Sequence, residues 1–367
     1  MKILLLGEYS NVHATLAKGL RALGHDVRVA SNGDFWKNYP RDNDLSRGTG
    51  HLGGLMLMWK VLANLPRWTG YDVVQLINPM FLELSAKRIE PVYRFLLKHN
   101  KRIFLGAFGM DYYWVHENIT RKPLRYSDFN FGEKLREDHD AMKERHDWIG
   151  TDKERLNRLI ADTCDGIVAG LYEYWACYHP LFPNKTSFIP FPIHLPQTTI
   201  NKSHKEGERI KLFIGINRTR NAYKGTDIML KAAKDIAEKY PDDVELQVAV
   251  SVPFDKYQKM VEKSDAILDQ LYSYTPSMNP LMAMSKGIIC IGGGEPENYE
   301  ILHENVLRPI INVEPSYDSV YSALERLIRH REEIPLLQRQ SIEYVKKHHD
   351  YIKVAKEYIK FWQQERH

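Results

Sequence analysis

The chain has 367 residues, 43% of them hydrophobic and 27% charged, which is enough for two cores of ordinary size and too much for one comfortable domain. Its 51 basic and 47 acidic residues leave a net charge of +4, interspersed rather than gathered into tracts, which disfavours nucleic acid as a partner. Cys164, Cys177 and Cys290 lie far apart with no C-x-x-C pair, so neither a disulfide framework nor a metal site is expected.

The opening MKILLLG carries a basic residue and an apolar run, but Glu8 follows at once without a small-residue cleavage site, which disfavours a signal peptide. The longest apolar stretches, such as LGGLMLMWKVLANL, reach helix length but not the ~20 residues of a membrane span. A cytoplasmic protein is expected. Basic residues on the first half would each add about 1 kcal/mol of attraction to anionic headgroups, so peripheral contact at the inner membrane face is the one membrane expectation.

In chain order, KILLL and Gly7 read as a strand and turn, Val12 to Leu23 as a helix ending at Gly24, and DVRVA as a second strand. Further short apolar runs near Asp72, Arg102, Asp165 and Ser187 alternate with helical stretches, which predicts a parallel sheet with helices on both faces. Residues 112–152 are dense in aromatics and charges with no strand signal, and read as a loop-plus-helix insertion over the first domain's cleft. FPIHLPQTTINKSHKEGER reads as a hinge, placing a boundary between Pro196 and Gly207.

The pattern then restarts with KLFIGI, a helix from about Gly225 to Tyr240, VELQVAV, a short helix after Pro253, AILDQ, a helix after Ser277, IICIG and RPIINV. A helical tail follows from Ser316. The expected division is 1–200, a Rossmann-like acceptor domain; 201–345, a Rossmann-like nucleotide-binding domain; and 346–367, a helix packing back on the first.

Ligands of parallel α/β sheets sit at the carboxyl ends of strands, which here brings Arg218, Lys224, Ser251 and Gly292 to Gly294 to one predicted crevice. Two cations beside helix starts with free N–H groups suit a diphosphate. Solvated surface charge is the bland alternative for the cations, and a positive-φ turn for the glycines. In the first half Asp111, after RIFLGAFG, reads equally as a helix cap or as a carboxylate facing the crevice. His13, near Asn11 in the first strand-to-helix loop, reads as a packing residue or an acceptor contact.

The order R-x5-K-G, a D-Q strand, a P-x6-A-M-x-x-G helix and G-G-x-x-E resembles the nucleotide-binding half of GT-B glycosyltransferases, particularly the retaining group classified as family four. MKILLLGEYSNVHATLAKGLRALGHDVRVAS resembles the acceptor half, so the likeness spans nearly the whole chain. It implies an α/β fold of two doubly wound, Rossmann-like domains facing a central cleft. It also implies metal-independent, retaining sugar transfer from a UDP- or GDP-linked nucleotide sugar, a substrate rather than a cofactor, to a glycan or lipid-linked acceptor.

By that resemblance Arg218 and Lys224 hold the diphosphate and stabilise the leaving group; Asp111, by its place after the strand, is the third catalytic candidate. Ser251, Val252 and Pro253 border the base; Ser277, Met278 and Asn279 face phosphate and sugar; and Gly293, Gly294 and Glu297 complete the donor site, while position alone makes Asn11 and His13 the acceptor-side candidates. The family's two glutamates fall here on Tyr274 and Met282. Tyr274 is thus a candidate sugar contact, whereas a methionine cannot accept hydrogen bonds from a ribose diol, which leaves Glu295 and Glu297 as nearby substitutes. A dinucleotide oxidoreductase is disfavoured because Gly7-Glu8-Tyr9-Ser10-Asn11 is not G-x-G-x-x-G. A sugar-nucleotide epimerase and a non-catalytic glycosyltransferase-like binding subunit are the remaining alternatives.

Overall fold

The computed structural model describes residues 1–50, 52–196, 204, 207–216, 224–250, 252 and 254–364. It consists of two compact units. The first comprises Met1–Pro123, Lys143–Pro192 and Tyr351–His367, and the second Leu124–Met142 and Ile193–Asp350. The hinge expected after Pro196 thus corresponds to a division at Pro192, and most of it lies outside the described residues.

In the first unit β1 (Lys2–Leu6), β2 (Asp26–Ser31), β3 (Asn43–Asp44), β4 (Val73–Leu76) and β5 (Ile103–Ala107) precede two short strands of the second unit, β6 (Asn130–Phe131) and β7 (Lys134–Leu135). Then come β8 (Gly166–Ala169) and β9 (Thr186–Phe188). The first unit's strands pair in the order β3-β2-β1-β4-β5-β8-β9, all parallel, so the order reverses between β1 and β4. Ile3 to Leu6 are fully buried, as a parallel strand covered on both faces requires.

The helices here are α1 (Val12–Ala22), α2 (Gly53–Asn64), α3 (Ala86–His99), α4 (Tyr112–Thr120), α5 (His139–Trp148), within which the unit division falls, α6 (Asp152–Thr163) and α7 (Tyr172–Tyr178).

The second unit holds β10 (Ile210–Ile216), α8 (Thr226–Lys239), β11 (Val244–Val250), α9 (Phe254–Glu262), β12 (Ala266–Leu268), α10 (Met278–Met284), β13 (Ile289–Gly292), α11 (Pro296–Ile301), β14 (Ile311–Asn312), α12 (Tyr317–Arg329) and α13 (Ile334–His348). Its parallel sheet runs β11-β10-β12-β13-β14, reversing between β10 and β12. Alternation along the strands sends Leu212, Ile214, Leu268 and Ile291 to one face, against Met229, Ala232, Ala233 and Ile236 of α8 and Leu324 of α12. Phe213, Ala249 and Ile267 go to the other, against Val261 of α9 and Ala283 of α10. Helices on both faces make the sheet doubly wound.

One expectation is overturned. The aromatic and charged stretch has no single home in the first unit: Leu124–Met142 belongs to the second, and β6 and β7 form an antiparallel hairpin within it. Its polar sequence gave no strand signal because each strand is only two residues long. Leu124, Tyr126 and Phe129 are nevertheless buried.

The tail ends in α14 (Tyr351–Gln363), which counts with the first unit and lies along α1. Gly19 permits that approach, since a Cβ there would stand 2.3 Å from the Tyr351 carbonyl and 2.9 Å from Ala355 Cβ. An exposed helix gains about 1 kcal/mol from Gly→Ala. Overpacking against a backbone carbonyl costs typically 1–3 kcal/mol, so Gly19→Ala is expected to lower stability by about 1 kcal/mol or more in urea titration. A stabilised variant would contradict the packing of α14 on α1.

Candidate functional site

The reversal between β10 and β12 leaves the carboxyl ends of both strands to diverging connections, the position at which open α/β sheets take ligands. From β10 the chain passes through residues 217–223, outside the described residues, and returns at Lys224 and Gly225 to start α8. Arg218 therefore has no described position, and the same holds for Ser251 and Pro253; Val252, between them, is half-buried.

Lys224 is half-buried, and its carbonyl accepts the Leu271 N–H from the loop after β12 at 3.0 Å. Gly225 is left-handed, φ 69°, and a Cβ there would meet Leu271 Cβ at 2.9 Å and the Tyr272 ring at 3.0 Å. Conformation and close approach both demand glycine. The first turn of α8 thus stands beside the end of β12 with Lys224 at its mouth.

Directly after β12, burial raises the carboxyl of Asp269 to about 6, while the charge of Lys224 pulls it down. The D-Q pair was legible as a strand end, but not that its acid is half-buried and feels the charge of Lys224. Opposite, Gly293 and Gly294 are buried without left-handed backbone, which corrects the positive-φ reading. Glycine is needed for space instead: a Cβ on Gly293 would lie 2.3 Å from the Ser273 carbonyl and one on Gly294 2.6 Å from Ile310.

Ser277 is the N-cap residue of α10 without a side-chain cap, Met278 is buried, and the Asn279 amide donates to the Tyr257 hydroxyl at 2.8 Å. Met282 is half-buried and lines a cavity of about 20 Å³ with Tyr257, Asn279 and Lys286.

The acids proposed as stand-ins for the missing glutamates are both engaged inside the second unit. Arg125, from the Leu124–Met142 segment, donates to Glu295 at 2.8 Å and forms a two-pronged pair with Glu297. Glu295, 6% exposed, also accepts from Tyr126 and, at 3.0 Å, from Asn312. Asn312 in turn accepts the Gly294 N–H at 2.9 Å. Tyr274 is 1% exposed; its hydroxyl accepts the Arg125 N–H at 2.7 Å, and its ring lies 4.8 Å from that of Tyr126 and 5.0 Å from the guanidinium. Sequence reasoning missed Arg125 and Tyr126, whose partners lie about 170 positions away, and Asn312, which no motif marks. The same segment supplies Arg136, 3.7 Å over the Tyr272 ring, to the wall of a 450 Å³ cavity that also borders Asp227.

The first-unit candidates lie around β1 and β5. Asp111 is fully buried and caps α4: one oxygen accepts the Trp114 N–H and the other the Tyr178 hydroxyl, both at 2.8 Å. Burial raises its carboxyl to about 7. Asn11 starts α1 in a left-handed conformation, φ 74°. His13 is fully buried; its Nδ1–H donates to the Gly7 carbonyl at 2.8 Å, while its backbone N–H donates to Glu8. Among the described residues no group of three His, Cys, Asp or Glu is arranged to hold a metal ion.

No protein-family model matches the chain, and comparison with curated proteins finds no match. Solved structures match over its full length. Anabaena HepE, in complex with UDP and glucose, superposes with a TM-score of 0.60 at 11% identity, covering 100% of both chains. Sucrose-phosphate synthase from Thermosynechococcus elongatus gives 0.63 at 12% identity over 99% of each chain. UDP-GlcNAc 2-epimerase from Neisseria meningitidis, bound to UDP-GlcNAc, gives 0.55 at 12% identity over 98% of this chain and 99% of that one. The chain therefore has the GT-B fold, built from two Rossmann-like parallel-sheet units.

Burial lowers the His13 imidazole from 6.5 to about 3, so between those values the unfolded chain binds a proton that the folded chain refuses. Stability is lost as pH falls through that window, by roughly 4 kcal/mol at its lower end. His13→Gln, which keeps a donor for Gly7, is expected to flatten denaturation free energy against pH between 6.5 and 4. Parallel slopes would show that His13 is not held neutral.

Proposed function

We propose that this protein is a glycosyltransferase that moves a sugar from a UDP- or GDP-linked donor to a glycan or lipid-linked acceptor. The observation that carries the reading is Lys224 at the reversal of the second sheet, where Gly225 lets the chain turn directly into α8. There the helix N-terminus and the ammonium offer a diphosphate both N–H groups and positive charge. Arg218, six residues earlier, supplies the second cation. Full-length likeness to chains solved with UDP, UDP-glucose and ADP supports the same ligand class.

In the proposed reaction the bond from the sugar's anomeric carbon to the phosphate oxygen breaks, and its electron pair leaves with the nucleoside diphosphate. The acceptor hydroxyl oxygen forms the new bond on the same face, and its proton passes to the departing phosphate. Lys224 and Arg218 stabilise the charge that grows on the leaving group, a role that needs fixed cations rather than a particular acid. The Asp269 carboxyl lies close enough for the Lys224 charge to lower it against the effect of burial. We assign Asp111 to capping α4, since both its oxygens are engaged there.

A second reading has a specific observation behind it. Tyr274 and Met282 replace the family's glutamates, and the nearest acids, Glu295 and Glu297, are paired with Arg125. A binding subunit without turnover fits that arrangement. The full-length likeness to an epimerase keeps a third outcome open to test.

Lys224→Ala and Arg218→Ala are each expected to weaken UDP or GDP binding at least tenfold in calorimetric titration, the equivalent of ~1.4 kcal/mol. Undiminished affinity in both variants sinks the site. Diphosphate release that requires an acceptor supports transfer, release or epimer formation without one supports the epimerase, and binding without release across a broad acceptor panel supports the subunit.

A further inference from the structure

Helix α2 is apolar on both sides. Gly53, Leu57 and Val61 face inward, while Leu52, Leu55, Met56, Trp59 and Leu62 on its other side are between 47% and 67% exposed. A helix that is hydrophobic all round is ordinarily buried, and clustered exposed apolar side chains mark a docking surface. Phe35 and Trp36, each 64% exposed, form a second apolar pair in the turn after β2. Polar contacts tie that turn to α2: Arg41 bridges Asn38 and Asp44 at 2.8 Å, Asp44 lies 3.7 Å from Lys60, and Asn43 donates to Asn64 at 3.1 Å.

Charge says what covers this face. From Leu45 to Tyr71 the chain carries Arg47, Lys60 and Arg67 and no acid. Arg47 and Arg67 are exposed, and the Arg47 guanidinium lies over Gly54 in the first turn of α2. The acids nearby are Asp34, paired with Lys37 at 2.6 Å, Asp44, beside Lys60, and Glu83, which accepts the Arg47 backbone N–H at 3.3 Å. A second copy docked face to face would set these cations against one another. An anionic bilayer answers both features at once: tryptophan and long aliphatic side chains suit the headgroup boundary, and the cations suit lipid phosphates. At twelve residues, about 18 Å, α2 lies on a membrane rather than crossing it, and no described helix is long and apolar enough to cross one.

We propose that α2 docks this protein on an anionic lipid surface, with Leu55, Met56, Trp59 and Leu62 in the headgroup–acyl boundary and Arg47, Lys60 and Arg67 against lipid phosphates. The inference uses only the first unit and stands independently of sugar transfer.

The test is co-sedimentation of the full chain with vesicles of phosphatidylcholine, pure or containing about one-third phosphatidylglycerol. Wild type is expected to bind the anionic vesicles several-fold more tightly than the neutral ones, and less tightly as salt rises. Trp59→Ser combined with Met56→Ser is expected to weaken partitioning at least tenfold while the thermal midpoint stays unchanged, because both side chains are exposed.

A second readout does not depend on that variant folding. Bromine-labelled acyl chains should quench part of the wild-type tryptophan emission, and the conservative Trp59→Phe should remove most of that quenched part. The proposal is overturned if wild type binds neither vesicle, binds both equally, or shows the same quenching with and without Trp59. It is overturned equally if wild type forms a dimer in vesicle-free buffer that the double variant abolishes, which would make a second copy the occupant.

Discussion

A backbone hydrogen bond from the Leu271 N–H to the Lys224 carbonyl ties together the connections that leave β10 and β12, and the proposed donor site depends on it. Parallel strands diverge into separate crossovers where the order of the sheet reverses, so the two loops meet only if one of them comes very close. Gly225 allows this, because its left-handed turn and the space beside Leu271 and Tyr272 exclude any side chain. The same economy recurs at Gly293, which packs on the Ser273 carbonyl. Lys224 and the half-buried Asp269, whose carboxyl is raised by burial and lowered by the lysine's charge, stand at this junction.

The Leu124–Met142 segment sets the electrostatics beside the end of β13. It buries Tyr126 and Phe129 and brings in Arg125, whose guanidinium takes up Glu295 and Glu297 together. Two acids near each other would otherwise repel. Their pairing with one arginine, with Tyr126 and Asn312 accounting for the rest of Glu295, makes the cluster a fully bonded network. Tyr274 belongs to the same network, its ring tilted against that of Tyr126 and its hydroxyl bonded to the Arg125 backbone. Tyr274 is therefore a structural neighbour of the acids.

Much of the fold was legible because it rests on local pattern. Unbroken apolar runs such as KILLL and KLFIGI are what strands buried on two faces require, and Met229, Ala232, Ala233 and Ile236 keep the helix spacing of α8. Lys224-Gly225 was legible as a helix entrance for the same reason. The buried state of Asp111 and His13 was not: a carboxylate after a strand and a histidine at a helix start look alike whether they face a ligand or the core. Which one holds depended on Tyr178 and Gly7 supplying partners. The two-residue strands of the hairpin carry no periodicity at all, so its membership of the second unit could not be read from residues 124–142.

By itself the sequence determined two doubly wound units, the restart of the pattern at KLFIGI and the types of residue at each strand end, since periodicity and turn chemistry are properties of neighbours in the chain. Tertiary structure alone decided that Arg125 meets Glu295 and Glu297 across about 170 intervening positions. It alone decided that Gly293 is required for space rather than for its backbone angle, and that α2 keeps an apolar face outward. Each of these depends on which distant surfaces come into contact, and charge pairing, close approach and exposure are properties of that contact rather than of the local chain.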